Sequence, residues 1–505
     1  MSRRAWAAGW VAAVVALAST GGPAAAHAVG GTFQLPVPLW LYLAGAAGAV
    51  AASFLVVARG PSRPSVGGPS DAAIPARLGA ATRTILRVAG VVLWYGAIGV
   101  GVLVGDISPL PAVVLWVVIW IALPIVAAAL GNPWPSMSPF RMTFAALERL
   151  AGGEGRTFDL GLRYPRGLAR WPAVLLLGLA IWAELILPGA EVAATVATIM
   201  AAYTLLTLLG MLAFGPATWL RNAEIFEVLL GWYGRIGPIG RRSVDPALCA
   251  ACPDRCDPEH CVDCPGCAAL ARDEQRRPVL RGWFRGLSGL RGLCWSDAAF
   301  VVLLLAGITY DGLRETAFGG MILTAILAPI NERFGLTAAL FLLVDTAFLV
   351  AVYASFLIAF VAVITVTRRL RSDEADSGAM AGAYAATLVP IATGYLIAHY
   401  LTLVIQAAVW LPSLIVNPLM SLAPDIGWIP IGLVWYVSVG AIVGGHIAGV
   451  TLAHRLSLDR AARSALVVGL PMVLLMVGYT VLSLWIIAQP IVVDPIPAAV
   501  ARIAL

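Results

Sequence analysis

The feature that most constrains this chain is a ladder of long apolar runs separated by arginine-bearing connections. A helix needs about 20 apolar residues to cross the hydrocarbon of a bilayer. Runs of that kind lie at 37–58, 84–104, 111–130, 171–188, 191–214, 296–312, 336–366, 381–411, 429–453 and 464–488. Composition agrees: 60% of the residues are hydrophobic and 12% charged, against about 45–50% and about 25% in soluble domains. That balance excludes a soluble globular enzyme. It also excludes a disordered or nucleic-acid-binding chain, because the net charge of +6 is spread through a strongly apolar background. The expected fold is an all-α polytopic membrane protein of about ten transmembrane helices after a cleaved signal peptide, with a Cys-rich cytoplasmic loop.

Residues 1–26 read as the signal. Arg3 and Arg4 form its charged region, Trp6 to Ala18 its apolar core, and Ala24-Ala25-Ala26 a small-residue cleavage site. Cleavage after Ala26 leaves His27 as the mature N-terminus, cleavage after Ala28 removes it, and an uncleaved first helix is the alternative. All 33 basic residues are arginine, and they set the orientation. If the chain starts outside at His27 and alternates, thirty arginines face the cytoplasm and three, Arg314, Arg333 and Arg502, face out. This positive-inside bias predicts a cytoplasmic membrane protein with both mature termini extracytoplasmic. It also argues against counting 317–330, which is short and interrupted by Gly and Pro, as a crossing; a re-entrant or interfacial piece is expected there. The chain then divides into a first membrane half of five helices (27–231), a cytoplasmic loop (232–295), a second half of five (296–488) and an outer tail (489–505). Five and five is a count that an inverted repeat permits.

The loop carries the strongest motif. Cys249, Cys252, Cys256, Cys261, Cys264 and Cys267 fall within 19 residues, with His260 among them. In a reducing cytoplasm such spacing points to metal rather than disulfides. Zinc suits thiolates at two-residue gaps. Cys261, Cys264 and Cys267 also match three ligands of a bacterial iron–sulfur run. Two further pieces read as interfacial. Residues 139–150 follow a Ser138 cap and place Phe140, Phe144, Leu147 and Leu150 on one stripe. The segment Arg281–Trp295 interleaves arginines with Trp283, Leu287 and Leu290, which fits an anchor on an anionic leaflet.

Ionisable residues within spans are expensive and mark functional cavities. Asp106, Glu184, Asp311, Glu315 and Asp345 fall toward the outer ends of their helices, and His399 with Tyr400 lies at mid-depth or further out. His446 sits somewhat inward, and His454 lies at the cytoplasmic edge. His399 and His446 are candidates for a shared copper, zinc or haem site. His27, whose amine and imidazole can chelate copper, is a candidate ligand on the outer side.

The segments His27-Ala-Val-Gly-Gly-Thr-Phe-Gln-Leu-Pro-Val-Pro, Thr309-Tyr-Asp-Gly, Ala398-His-Tyr, Gly445-His446 and Ala453-His454 carry a resemblance over nearly all of the mature chain. In their order they resemble multi-pass actinobacterial membrane proteins labelled fenitrothion hydrolase. That resemblance implies hydrolysis of an organophosphate triester and assigns no catalytic residue. Three function classes follow. The first is a metal-dependent hydrolase of apolar esters using His399, Asp345, Glu184, Glu315 and Asp311 as ligands or bases. The second is a transporter or channel for an unknown small molecule, and the third a haem or copper redox protein. No P-loop, Rossmann fingerprint or nucleophile elbow stands out.

Overall fold

A computed structural model describes residues 33–34, 38–59, 72–73, 76–152, 158–243, 247, 275–288, 290, 292–335, 337–371, 376–458, 465–489 and 492–493. Among the described residues nine helices are long and apolar enough to cross a membrane. The protein is an all-α polytopic membrane protein. The six cysteines of the loop motif, His260 and His27 lie outside the described residues.

The first half comprises α1 (Leu39–Arg59), α2 (Ala76–Leu103), α3 (Leu110–Leu130), α4 (Pro139–Leu150), α5 (Trp171–Leu185), α6 (Ala193–Phe214) and α7 (Ile225–Gly234). The second comprises α8 (Trp295–Glu315), α9 (Ala317–Phe334), α10 (Ala338–Leu370), α11 (Ser377–Ala386), α12 (Val389–Val416), α13 (Ile431–Leu458) and α14 (Ala465–Ala488). The tenth expected crossing, 171–188, is the exception. Its helix α5 has 15 residues, about 22 Å at 1.5 Å each, because Pro188 and Gly189 follow in a chain of turns. The piece expected to be re-entrant or interfacial is helix α9, which is largely exposed and stands outside the nine spans.

Two short strands tie the chain ends together. β1 (Phe33–Gln34) pairs in parallel with β5 (Val492–Val493), at the end of the bundle where α1 starts and α14 finishes. The opposite end carries β2 (Ala72–Ala73), β3 (Ile239–Ser243) and β4 (Arg276–Leu280) in the order β2–β4–β3. In the orientation read from the arginines, the first is the outer end and the second the inner.

Helix α4 forms as its sequence dictates. The Ser138 side chain accepts from the Arg141 N–H, Pro139 opens the first turn, and Phe140 and Phe144 are buried while Leu147 and Leu150 face outward. At the centre, α8 is buried along almost its whole length. It packs against α5, α10, α11, α12 and α14. Helices α12 and α13 pack tightly along their length, because small residues let their backbones approach. A Cβ on Gly394 would stand 2.2 Å from the Ala441 carbonyl oxygen, and one on Gly445 would stand 2.4 Å from that of Pro390. These contacts fix the register of the pair.

Candidate functional site

The last turns of α8 run Tyr310-Asp311-Gly312-Leu313-Arg314-Glu315. Residues four apart share a helix face, so Tyr310 and Arg314 look one way while Asp311 and Glu315 look another. The first face meets Asp345 of α10. The Tyr310 hydroxyl donates to Asp345 Oδ1 at 2.5 Å, and Arg314 Nη2 stands 2.9 Å from Asp345 Oδ2. Arg314 Nη1 also donates to the Leu185 carbonyl at 2.6 Å, at the end of α5. Asp345 therefore sits in a clamp that joins α5, α8 and α10.

The second face meets α12. Asp311 Oδ2 stands 2.9 Å from His399 Nε2 and accepts from the Tyr400 hydroxyl at 2.6 Å. All three residues are buried. This is a carboxylate–imidazole–phenol cluster in which one oxygen atom serves two partners, each able to exchange a proton.

A cavity opens beside Tyr400. Trp120 of α3, Glu184 of α5, Tyr233 of α7, Leu304 of α8 and Leu396 of α12 line it with Tyr400, and it offers about 40 Å³ to water-sized centres. Trp120 and Glu184 both face into it. The backbone of one cavity wall is irregular: Val113–Ala122 of α3, which carries Trp120 and Ile121, is wound as a π-helix. Away from the cavity, α11 gives way to α12 at Thr387–Leu388. At the end that carries the three-stranded sheet, α7 packs against the end of α3, where Gly234 abuts Asn132 and Gly237 abuts Gly131.

The sequence candidates thus fall into separate groups. Asp311 and His399 come together, Asp345 is engaged by Arg314 and Tyr310, Glu184 faces the cavity, and Glu315 is exposed at the end of α8. His446 does not join them. Ser438 of α13 donates to the Ala398 carbonyl, whereas Gly445 lies at Pro390. His446 is therefore level with a residue nine positions before His399 on α12, about 13 Å away along the axis at 1.5 Å per residue. His446 instead donates from Nδ1 to the Ile442 carbonyl at 2.8 Å, and His454 packs edge-on against Phe54 of α1. Among the described residues no three His, Cys, Asp or Glu side chains converge as a metal-holding group.

One buried carboxylate escapes sequence reasoning altogether. Glu224 caps α7 and accepts four hydrogen bonds: from Trp134 Nε1 at 2.9 Å, the Tyr203 hydroxyl at 2.8 Å, and the N–H groups of Phe226 and Glu227 at 3.0 and 2.8 Å. Burial pushes its carboxyl up to about 7 against these bonds, with the neighbouring Glu227 charge acting in the same direction. Glu227 in turn pairs with Arg141 of α4 at 2.8 Å. The available signal was Glu224-Ile-Phe-Glu-Val-Leu-Leu, an acidic cap before an apolar helical run.

Comparison of the chain with protein-family models, with curated proteins and with solved structures returns no match.

Proposed function

We propose that this chain is a proton-conducting membrane protein, a transporter or channel, with Asp311, His399 and Tyr400 as its proton-carrying site. The observation that carries the reading is the shared Asp311 Oδ2. A carboxylate, an imidazole and a phenol all take up and release protons, and hydrogen bonds already join the three. Intramembrane ionisable groups beside a cavity mark proton and ion pathways. The 40 Å³ beside Tyr400 is room for roughly three waters at about 10–15 Å³ each. The π-helix of α3 adds the irregular backbone that accompanies functional sites in membrane helices.

The hydrolase of apolar esters that the resemblance implies has one observation in its favour. Asp311 would orient His399 as a general base, but the tight cavity favours water and protons over a triester. The cytoplasmic membrane as location, with both termini extracytoplasmic, rests on the arginine count. Zinc or an iron–sulfur cluster on the six cysteines rests on their spacing and on the cytoplasmic placement.

The test is proton uptake by liposomes holding the purified protein, an internal pH dye and a potassium diffusion potential. Wild-type protein should acidify the lumen at least tenfold faster than protein-free liposomes, and Asp311→Asn should remove the excess. Wild-type uptake equal to that of protein-free liposomes would overturn the reading.

A further inference from the structure

We propose that Tyr395 is a positioning residue of the proton path: its phenol holds a water or hydronium oxygen against His399, on the side of Asp311 away from the cavity. The inference rests on the proton-conducting reading and extends it past the imidazole.

Tyr395 and His399 are four residues apart on α12 and share one face, while Leu396 and Tyr400 share the neighbouring face that lines the cavity. Asp311 thus has Tyr400 on its cavity side and His399 on the other. The Tyr395 ring lies 6.0 Å from the His399 ring between centroids. Its hydroxyl is fully buried and meets no hydrogen-bond partner among the described residues.

Position 312 explains how the hydroxyl gets there. A Cβ on Gly312 would lie 2.9 Å from the Tyr395 oxygen, 3.3 Å from His399 Cε1 and 2.6 Å from Ile486 Cγ2. The phenol oxygen and the imidazole edge therefore converge on bare backbone, one residue beyond Asp311. Glu315, one turn further along α8, is exposed at the end of the helix.

A buried hydroxyl without a partner lowers stability, and phenylalanine fills the same volume without that penalty. Packing alone does not account for the oxygen; a ligand that hydrogen-bonds it does. The proton balance is simple. One proton reaches the Asp311–His399 pair from the Tyr400 side, and one leaves the imidazole for the oxygen held at Tyr395. The pair then regains its starting charge, and Glu315 offers the next acceptor toward the outer end.

The same liposome assay on full-length protein tests this with three variants, with thermal unfolding measured in parallel. Tyr395→Phe should lose at least tenfold in proton flux, with a displaced pH–flux profile and a thermal midpoint equal to or above that of wild type. Gly312→Ala should reproduce the flux loss by displacing the Tyr395 oxygen and the imidazole edge from each other. Wild-type flux in Tyr395→Phe, with Asp311→Asn inactive, overturns this proposal and leaves the Asp311 reading standing. A Tyr395→Phe midpoint that falls together with flux also overturns it, because the hydroxyl is then structural. If wild-type protein conducts no faster than protein-free liposomes, the Asp311 reading fails and the Tyr395 role falls with it.

Discussion

Glu224 and Asp311 are both buried carboxylates, yet their surroundings assign them different work. Glu224 accepts four hydrogen bonds, two of them from the backbone at the start of its own helix, and its donors Trp134 and Tyr203 belong to an aromatic cluster with Trp94, Phe140 and Phe226. Asp311 accepts on one oxygen from two side chains that themselves exchange protons, with a cavity on one side and an unpartnered phenol on the other. A carboxylate held mainly by an indole and by backbone N–H groups builds architecture. One held by titratable donors next to space for water is equipped to move charge.

The largest expected effect attacks the structural member. Glu224→Leu strands the indole of Trp134, the Tyr203 hydroxyl and two backbone N–H groups in an apolar setting. At about 1–3 kcal/mol per buried unsatisfied group, partly relieved by relaxation, the loss should be roughly 4 kcal/mol. Denaturation in detergent measures it; a loss under about 1 kcal/mol would erase the contrast with Asp311.

Arg314→Met should cost about 3 kcal/mol, because it leaves Asp345 buried without its counter-charge. The double variant Arg314→Met/Asp345→Asn should regain most of that. Failure to regain would show that Arg314 acts through the Leu185 carbonyl of α5 rather than through Asp345.

The pH dependence of stability sharpens the comparison further. Glu224 titrates near 7 in the folded protein against an ordinary value of 4.5. Between those values the native state keeps a proton that the unfolded state has lost, so stability falls as pH rises. This contribution is whole below the ordinary value and gone above the folded one. At about 1.4 kcal/mol per unit the fall totals roughly 3 kcal/mol. Glu224→Gln should flatten that slope in urea titrations, and an unchanged slope would relocate it to another group.

A smaller effect is expected from Gly394→Ala. Its Cβ would press on the Ala441 carbonyl and push α13 from α12, at a cost of about 1–3 kcal/mol. Because His399 rides on α12, proton flux should fall as well. Unchanged stability and flux together would mean that the pair has slack.

Much of this architecture was legible because hydropathy is local. Apolar runs announced the spans, Ser138-Pro139 announced α4, and the acids of the last α8 turns stood out against their background. Partnerships were not legible, since they depend on the register between helices. His399 meets Asp311 rather than His446 because Gly394 and Gly445 set where α12 and α13 cross. Arg314 stood out in the sequence only as one of three arginines on the outer side, and its neighbour Asp345 is 31 residues away. Helix α7 has ten residues, too few to resemble a crossing, so Glu224 fell outside every apolar run. The 171–188 run looked long enough to span because hydropathy does not register the turns that follow α5.

The most direct test measures thermal midpoint and proton flux together for Asp311→Asn and Glu224→Gln. Asp311→Asn should keep its midpoint and lose the flux, whereas Glu224→Gln should lower the midpoint and keep most of the flux per folded molecule. Two variants that lose flux and midpoint in the same proportion would contradict that contrast, for Asp311 would then be one more structural carboxylate.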